Sequence, residues 1–358
     1  MSITFSVAIA AALLGLPDTP AAEPNDSAKT LRVIAQKTEQ NQQTFATFVC
    51  RYRVALGMAP SIASAQQEGL VPPKFTAEAT WAVKGAVSTF ELITPKDALD
   101  KANQRALSNG ETNSVALPFT DMKFIKNGRH QWLYSYWAAP GFGVIKRVSH
   151  QFTQFRNPFS TCLEHEHQGK SAAELIRLGL DRGSVRLLQS DPADTANIQR
   201  VEFVEDAVVK ERIKVVTLMK FDTDRGYLPT EVSVGISGKP IAVKTIVVSA
   251  VQAANGAWYP QRTLDFEHPE ATSRNFRFQE CVVSEMRLTV QPEDLRITIP
   301  AGTAIQDGAT VGDAPVLEAD TVLTPETLVN LKSGTKSSTI RFMKSKSKTA
   351  DDADKTAK

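Results

Sequence analysis

Cysteine is scarce in this chain. Cys50, Cys162 and Cys281 are the whole supply in 358 residues. No C-x-x-C spacing occurs among them, which excludes a zinc ribbon and a thioredoxin-like redox motif. Two readings stay open for an odd set of three: one bridged pair with a thiol left over, or three small side chains buried in strand-like runs. Histidine is nearly as rare, with five residues. There is no H-E-x-x-H, no G-x-S-x-G and no Gly-rich phosphate loop, so the familiar metalloprotease, hydrolase and nucleotide signatures are absent. Net charge is only +2, which gives no support to a nucleic-acid or membrane-surface protein. That charge is unevenly placed: residues 332–358 hold eight Lys/Arg against three Asp, a net +5, leaving the body at −3.

Long apolar runs are also missing after residue 16. The single run, Ile3 to Leu16 in MSITFSVAIAAALLGLPDTPAAEPND, is shorter than the ~20 residues of a spanning helix. With Pro17 and small residues after it, it reads as a signal peptide of residues 1–22, cleaved after Ala21 or Ala22. No Lys or Arg precedes it, and no Cys lies near the cleavage region to carry a lipid. The expected location is therefore periplasmic or extracellular, with no membrane-spanning segment.

What is present is a rhythm of two. Asp26 or Ser27 can cap a helix to about Gln43, with Leu31, Ile34 and Thr38 at helical spacing. Then TFVCRYRVALG puts Phe48, Cys50, Tyr52 and Val54 on one face, with Arg51 and Arg53 on the other. Phe75, Ala77, Ala79, Trp81 and Val83 alternate in the same way, and a surface helix is expected over 96–107. MKFIKNGRHQWLYSYW carries Asn127-Gly128 between alternating runs, a hairpin signal. Lys123, Ile125, His130, Trp132, Tyr134 and Tyr136 share one face of it; Met122, Phe124, Gln131 and Leu133 share the other. Ser171 and Glu174 form a capping box for a helix of about 172–180.

From Gly183 onward strand follows strand: 184–189, 198–205, 208–221, 227–236, 240–252, 257–267, 272–285 and 286–299. Connectors of two to five residues require antiparallel neighbours, because a parallel crossover needs about a dozen. The expected fold is α+β, a large curved antiparallel sheet, or half-barrel, wrapping two or three helices. The domain is placed at 27–308, and 309–358 is read as a low-complexity, basic, disordered tail.

FDTDRGYLPTEV poses a question, since Asp222, Asp224 and Gly226 look like the start of a calcium loop. An EF-hand needs a ligand at position 5, Gly at 6 and a bidentate Glu at 12. Counting from Asp222, those positions hold Gly226, Tyr227 and Ser233, and the flanks are strands. The stretch is a hairpin turn, with carboxylates bonding backbone amides and Gly226 left-handed. In CLEHEHQG (162–169), His165 and His167 could begin a metal site, but two imidazoles fall short of the three or four ligands required. Neither an enzyme nor a cofactor or metal is expected.

That turn with its Asp224, Gly226, Leu228 and Pro229, together with GAWYPQRTLDF and LRITIPAGTAIQD, resembles the half-barrel of the outer-membrane lipoprotein carriers (LolA/LolB-like). The helix before the Phe48 strand and the hairpin leading to Trp132 follow the same order, over roughly 27–308. The resemblance implies an apolar cavity between sheet and helices for acyl chains, with a lipid or acylated protein as partner. The candidate lining is Phe48, Tyr52, Trp81, Trp132, Tyr134 and Tyr136; the same aromatics could equally fill a core. The functional expectation is an exported, non-enzymatic protein that binds or carries a hydrophobic ligand. The alternative is a structural or protein-interaction module with a filled core.

Overall fold

The computed structural model describes residues 24–67, 75–95, 121–128, 130–137, 142–147, 157–159, 171–189, 191–208, 212–267, 276–306, 316–330 and 342–343. The signal region, the surface helix expected over 96–107, Cys162 and CLEHEHQG lie outside the described residues.

Helix α1, Pro24–Gln43, buries Leu31, Ile34 and Thr38, the stripe its spacing announces. A meander of six strands follows: β1 Thr47–Ala59, β2 Phe75–Lys84, β3 Val87–Ile93, β4 Met122–Asn127, β5 His130–Trp137 and β6 Phe142–Arg147. A short helix α2, Ile62–Gln66, interrupts it after β1. Helix α3, Ala172–Arg182, opens with the expected capping box, in which Ser171 and Glu174 satisfy each other's backbone amides, and closes on left-handed Gly183.

The second meander is β7 Val185–Leu188, β8 Ile198–Val208, β9 Arg212–Asp222, β10 Leu228–Ile236, β11 Ile241–Gln252, β12 Trp258–Glu267 and β13 Phe276–Arg287. The two meanders meet where β1 pairs with β13, and all these strands form one open sheet. A sheet this wide curls rather than staying flat, and its antiparallel half-barrel with packed helices is α+β.

The expected strand 286–299 is not a strand. The ladder of β13 ends at Arg287, and a 3₁₀ turn at Pro292–Leu295 follows before β14, Ile297–Ile299. Pro292 lacks the amide a ladder needs, and the Asp294 carboxylate accepts from Gln291 N at 2.7 Å, closing the turn.

Beyond it, β15 Ala304–Gln306 joins the edge of β6 in parallel, followed by β16 Val316–Leu317, β17 Thr321–Leu323 and β18 Phe342–Met343. β14 and β17 form a separate two-stranded sheet. Leu317, Leu323 and Leu328, past residue 308 where the sequence reading ends the domain, are buried in the fold.

Register separates two faces. The inner face carries α1 and α3: Leu31, Ile34, Ala173 and Ile176 pack on Val201, Met219 and Val232. On the outer face Arg51 pairs with Glu285 at 3.1 Å and Arg53 with Glu280 at 3.5 Å. Arg262, also on Glu280, donates to the Ala65 and Gln66 carbonyls and so fastens α2 there.

Helix α3 approaches β7 closely because residue 179 has no side chain: a Cβ there would lie 2.6 Å from Val185 Cβ. Gly179→Ala gains about 1 kcal/mol of helix propensity but meets a rigid β-branched neighbour, costing roughly 1–3 kcal/mol. The expected net result is a lower urea midpoint with unchanged slope.

Candidate functional site

The structure divides the six candidate aromatics between the two faces. Cys50 pairs with Trp81, Trp81 with Phe90, Phe90 with Phe124 and Phe124 with Leu133, a transverse row on the inner face. Phe48, Tyr52 and Trp81 belong to this face. On β5 the inner residue is Leu133, so Trp132 and Tyr134 point outward. They lie with Ile125 and Ile145 under Ile299, Leu317 and Leu323 of the C-terminal segment, with Tyr136 packed at the margin.

That segment is fastened by Lys123 Nζ donating to Thr298 O at 2.8 Å, Asn127 Nδ2 to Pro325 O at 2.8 Å and Thr89 Oγ1 to Asp294 O at 2.7 Å. The outer aromatics are thus capped by the chain's own end.

The inner half over β1–β5 is a continuous apolar wall. Phe48 meets Trp81 edge-on, centroids 5.1 Å apart at 86°. Phe159, which belongs to none of the helices or strands, inserts among them: 5.3 Å from Phe48, 6.0 Å from Trp81, 6.1 Å from Phe45 and 6.5 Å from Tyr259. Its backbone amide donates to Asn157 Oδ1 at 2.8 Å, which fixes the turn that aims it inward. Among the described residues, no residue of α1, α2 or α3 belongs to this cluster.

Burial dominates the electrostatics. Desolvation lifts the Tyr52 phenol well above its ordinary value, with the neighbouring Cys281 and Cys50 adding to it. Desolvation likewise raises the Cys50 thiol, the opposite of what a nucleophile needs. Cys50 and Cys281 are both buried. On the outer face, burial first, then Asp121 and Tyr136, push the Tyr134 phenol up to about 12.

A phenol whose folded value is raised stabilises the fold fully below its unfolded value near 10 and loses that contribution as pH rises through the folded value. The urea midpoint is therefore expected to hold up to about pH 10 and to fall between roughly 10 and 12, together with the appearance of phenolate absorbance.

The turn after β9 is structural. Asp222 Oδ1 accepts from Asp224 N at 3.0 Å and from Asn197 Nδ2 at 2.7 Å, while Oδ2 faces Arg225 Nε at 3.4 Å. Gly226 is left-handed at φ 63°, and Tyr227 follows it at φ 59°, held by Thr38 Oγ1 donating to its carbonyl at 3.2 Å. Protein donors already occupy the carboxylate that a calcium loop would need. Among the described residues no group of three or more His, Cys, Asp or Glu is placed to hold a metal.

Sequence reasoning missed Phe159, Phe45 and Tyr259, which come from outside the alternating runs that were read as lining. It also missed a buried polar strip on the inner face of β11–β13, formed by Thr245, Thr263, Asp265 and Gln279.

No protein-family model matches this chain, and no curated protein does. Among solved structures it is similar to an outer membrane lipoprotein-sorting protein domain from Vibrio parahaemolyticus, with 15% identity over 73% of this chain and 92% of that one, TM-score 0.40. It is similar to a DUF1329 family protein from Desulfovibrio piger, with 11% identity over 74% and 93%, TM-score 0.40. It is also similar to a LolA superfamily protein from Nitrosomonas europaea, with 12% identity over 75% and 96%, TM-score 0.38. The functional reading below is built from this chain's own residues. Among the described residues no helix is long and apolar enough to cross a membrane.

Proposed function

We propose that this chain is an exported, non-enzymatic binder or carrier of a hydrophobic ligand, a lipid or the acyl part of a lipoprotein. The ligand lies on the inner apolar wall of β1–β5. The observation that carries this is the plug: a wall of Phe48, Trp81 and Phe90 on regular strands is covered by Phe159, a residue outside any helix or strand. A single side chain aimed inward by the Asn157 side-chain carbonyl can withdraw without undocking α1, α2 or α3. An acyl chain can then take the volume its ring vacates.

The driving force is burial, at about 0.8 kcal/mol per methylene. About ten methylenes give roughly 8 kcal/mol, from which ordering and association costs of 4 kcal/mol or more must be subtracted. The remainder, about 4 kcal/mol, is only millimolar binding; micromolar binding, about 8 kcal/mol net, needs about fifteen methylenes. The export reading is supported by the apolar run Ile3 to Leu16; a mature mass short by 21 or 22 residues is expected, and an intact amino terminus in an exporting host would overturn it.

A second reading, a structural or protein-interaction module, draws on the mutual contact of the same rings, as in a filled core. Native mass spectrometry of protein from an exporting host separates the two. A co-purifying lipid, or uptake of a dansyl-labelled fatty acid by stripped protein, supports the carrier. Clean protein that refuses the fatty acid overturns it in favour of the module.

A further inference from the structure

The inner face is not uniformly apolar. One transverse row runs Leu187, Val201, Met219, Val232, Thr245, Asp265, Gln279, Leu56. Three polar residues on β11, β12 and β13 stand between apolar blocks. The adjacent row runs Val247, Thr263, Cys281, Val54, Ala77 and adds a fourth.

All four are buried: Thr263 0%, Asp265 4%, Gln279 8% and Thr245 9% exposed. This strip divides the apolar cluster under α1 and α3 from the cluster around Phe48 and Trp81. Within it, Thr245 Oγ1 donates to Asp265 Oδ1 at 2.6 Å and Gln279 Nε2 reaches Cys281 Sγ at 3.8 Å. Thr263 Oγ1 has no hydrogen-bond partner. A sheet needing only a greasy floor would place Val at these positions, because a buried hydroxyl without a partner carries the full desolvation penalty.

We propose that the ligand is a hydroxyl-bearing amphipath rather than a bare acyl chain. Its uncharged hydroxyl group seats on Thr263 and the Thr245–Asp265 pair, while its chain lies along the wall of β1–β5. The inference rests on the carrier reading and adds the chemistry of the polar end. Thr263 Oγ1 supplies an acceptor and a donor, and the Asp265 carboxylate supplies an acceptor. Cys281, Val54 and Ala77, which follow Thr263 in its row, give the first methylenes an apolar path toward Trp81.

The test is displacement of a bound dansyl-labelled fatty acid from the full chain by 1-monooleoylglycerol and by methyl oleate. These share the oleoyl ester and differ in the two free hydroxyls. The ratio of the two affinities is measured for the wild type, Thr263→Val and Thr263→Ser. Loss of one hydrogen bond corresponds to a fall of about five- to tenfold in that ratio for Thr263→Val, with Thr263→Ser retaining the wild-type ratio.

An unchanged ratio in Thr263→Val, with both competitors still displacing the probe, overturns the hydroxyl seat and leaves the carrier intact. The hydroxyl of Thr263 is then a buried group satisfied by water. A chain that takes up no probe at all overturns the carrier reading and this inference with it.

Discussion

Phe159→Ala is expected to cost the ligand-free protein about 3–5 kcal/mol, read as a lower urea midpoint, because the ring leaves a cavity against Phe48, Trp81 and Tyr259. The same variant is expected to bind a dansyl-labelled fatty acid more tightly than the wild type, since the plug no longer competes. These two effects are linked. A ligand that fills the vacated volume and binds only the folded state returns about 2.7 kcal/mol at a hundredfold excess over Kd. Fatty acid should therefore restore much of the variant's lost midpoint and shift the wild type less. A destabilised variant that gains nothing from fatty acid would make Phe159 an ordinary core residue and favour the interaction module.

Ending the chain after Gln306 should have the largest effect on stability. It removes Leu317, Leu323 and Leu328, each nearly inaccessible to solvent, from the outer aromatics Trp132 and Tyr134. At ~1.5–3 kcal/mol per buried leucine the loss is roughly 5–9 kcal/mol, an upper estimate. That approaches the whole stability of an ordinary domain, about 5–15 kcal/mol. The expected outcome is a protein that exposes dye-binding apolar surface and melts far below the full chain. Ending the chain after Met343 removes only the basic tail, and its melting temperature is expected to match the parent. If the shorter truncation folds normally, the outer cap is dispensable and Trp132 and Tyr134 become a free apolar surface.

Much of this architecture is written locally. The capping box at Ser171 and Glu174, the stripe Leu31, Ile34, Thr38, and the turn at Asp222–Gly226 each depend on residues a few positions apart. The hairpin at Asn127-Gly128 shows how such a reading can miss in detail and still succeed. The last observed pair is Asn127 with His130, two residues offset from a ladder closed on the Asn-Gly dipeptide itself. An even offset leaves every side chain on its face.

What the hairpin does not say is which face turns inward. Both are apolar, because Trp132 is covered by Leu323 from almost two hundred residues later, and no local pattern records that. The strand misread at 286–299 has the opposite cause. Its alternation is real on both sides of Pro292, but the proline and the Asp294 cap break it at one point.

The pairing of β1 with β13 carries a consequence for how the molecule comes into being. Tyr52 lies beside Val283, so the seam joins partners 231 residues apart. Closing a loop of that length rather than a ten-residue one adds about 3 kcal/mol of chain entropy. The earliest strands must therefore wait, with oily surface showing, until nearly the last of the sheet has emerged. A chain threaded outward amino end first would be kept from premature collapse by this delay, and refolding from urea should be limited by the joining of two preformed halves.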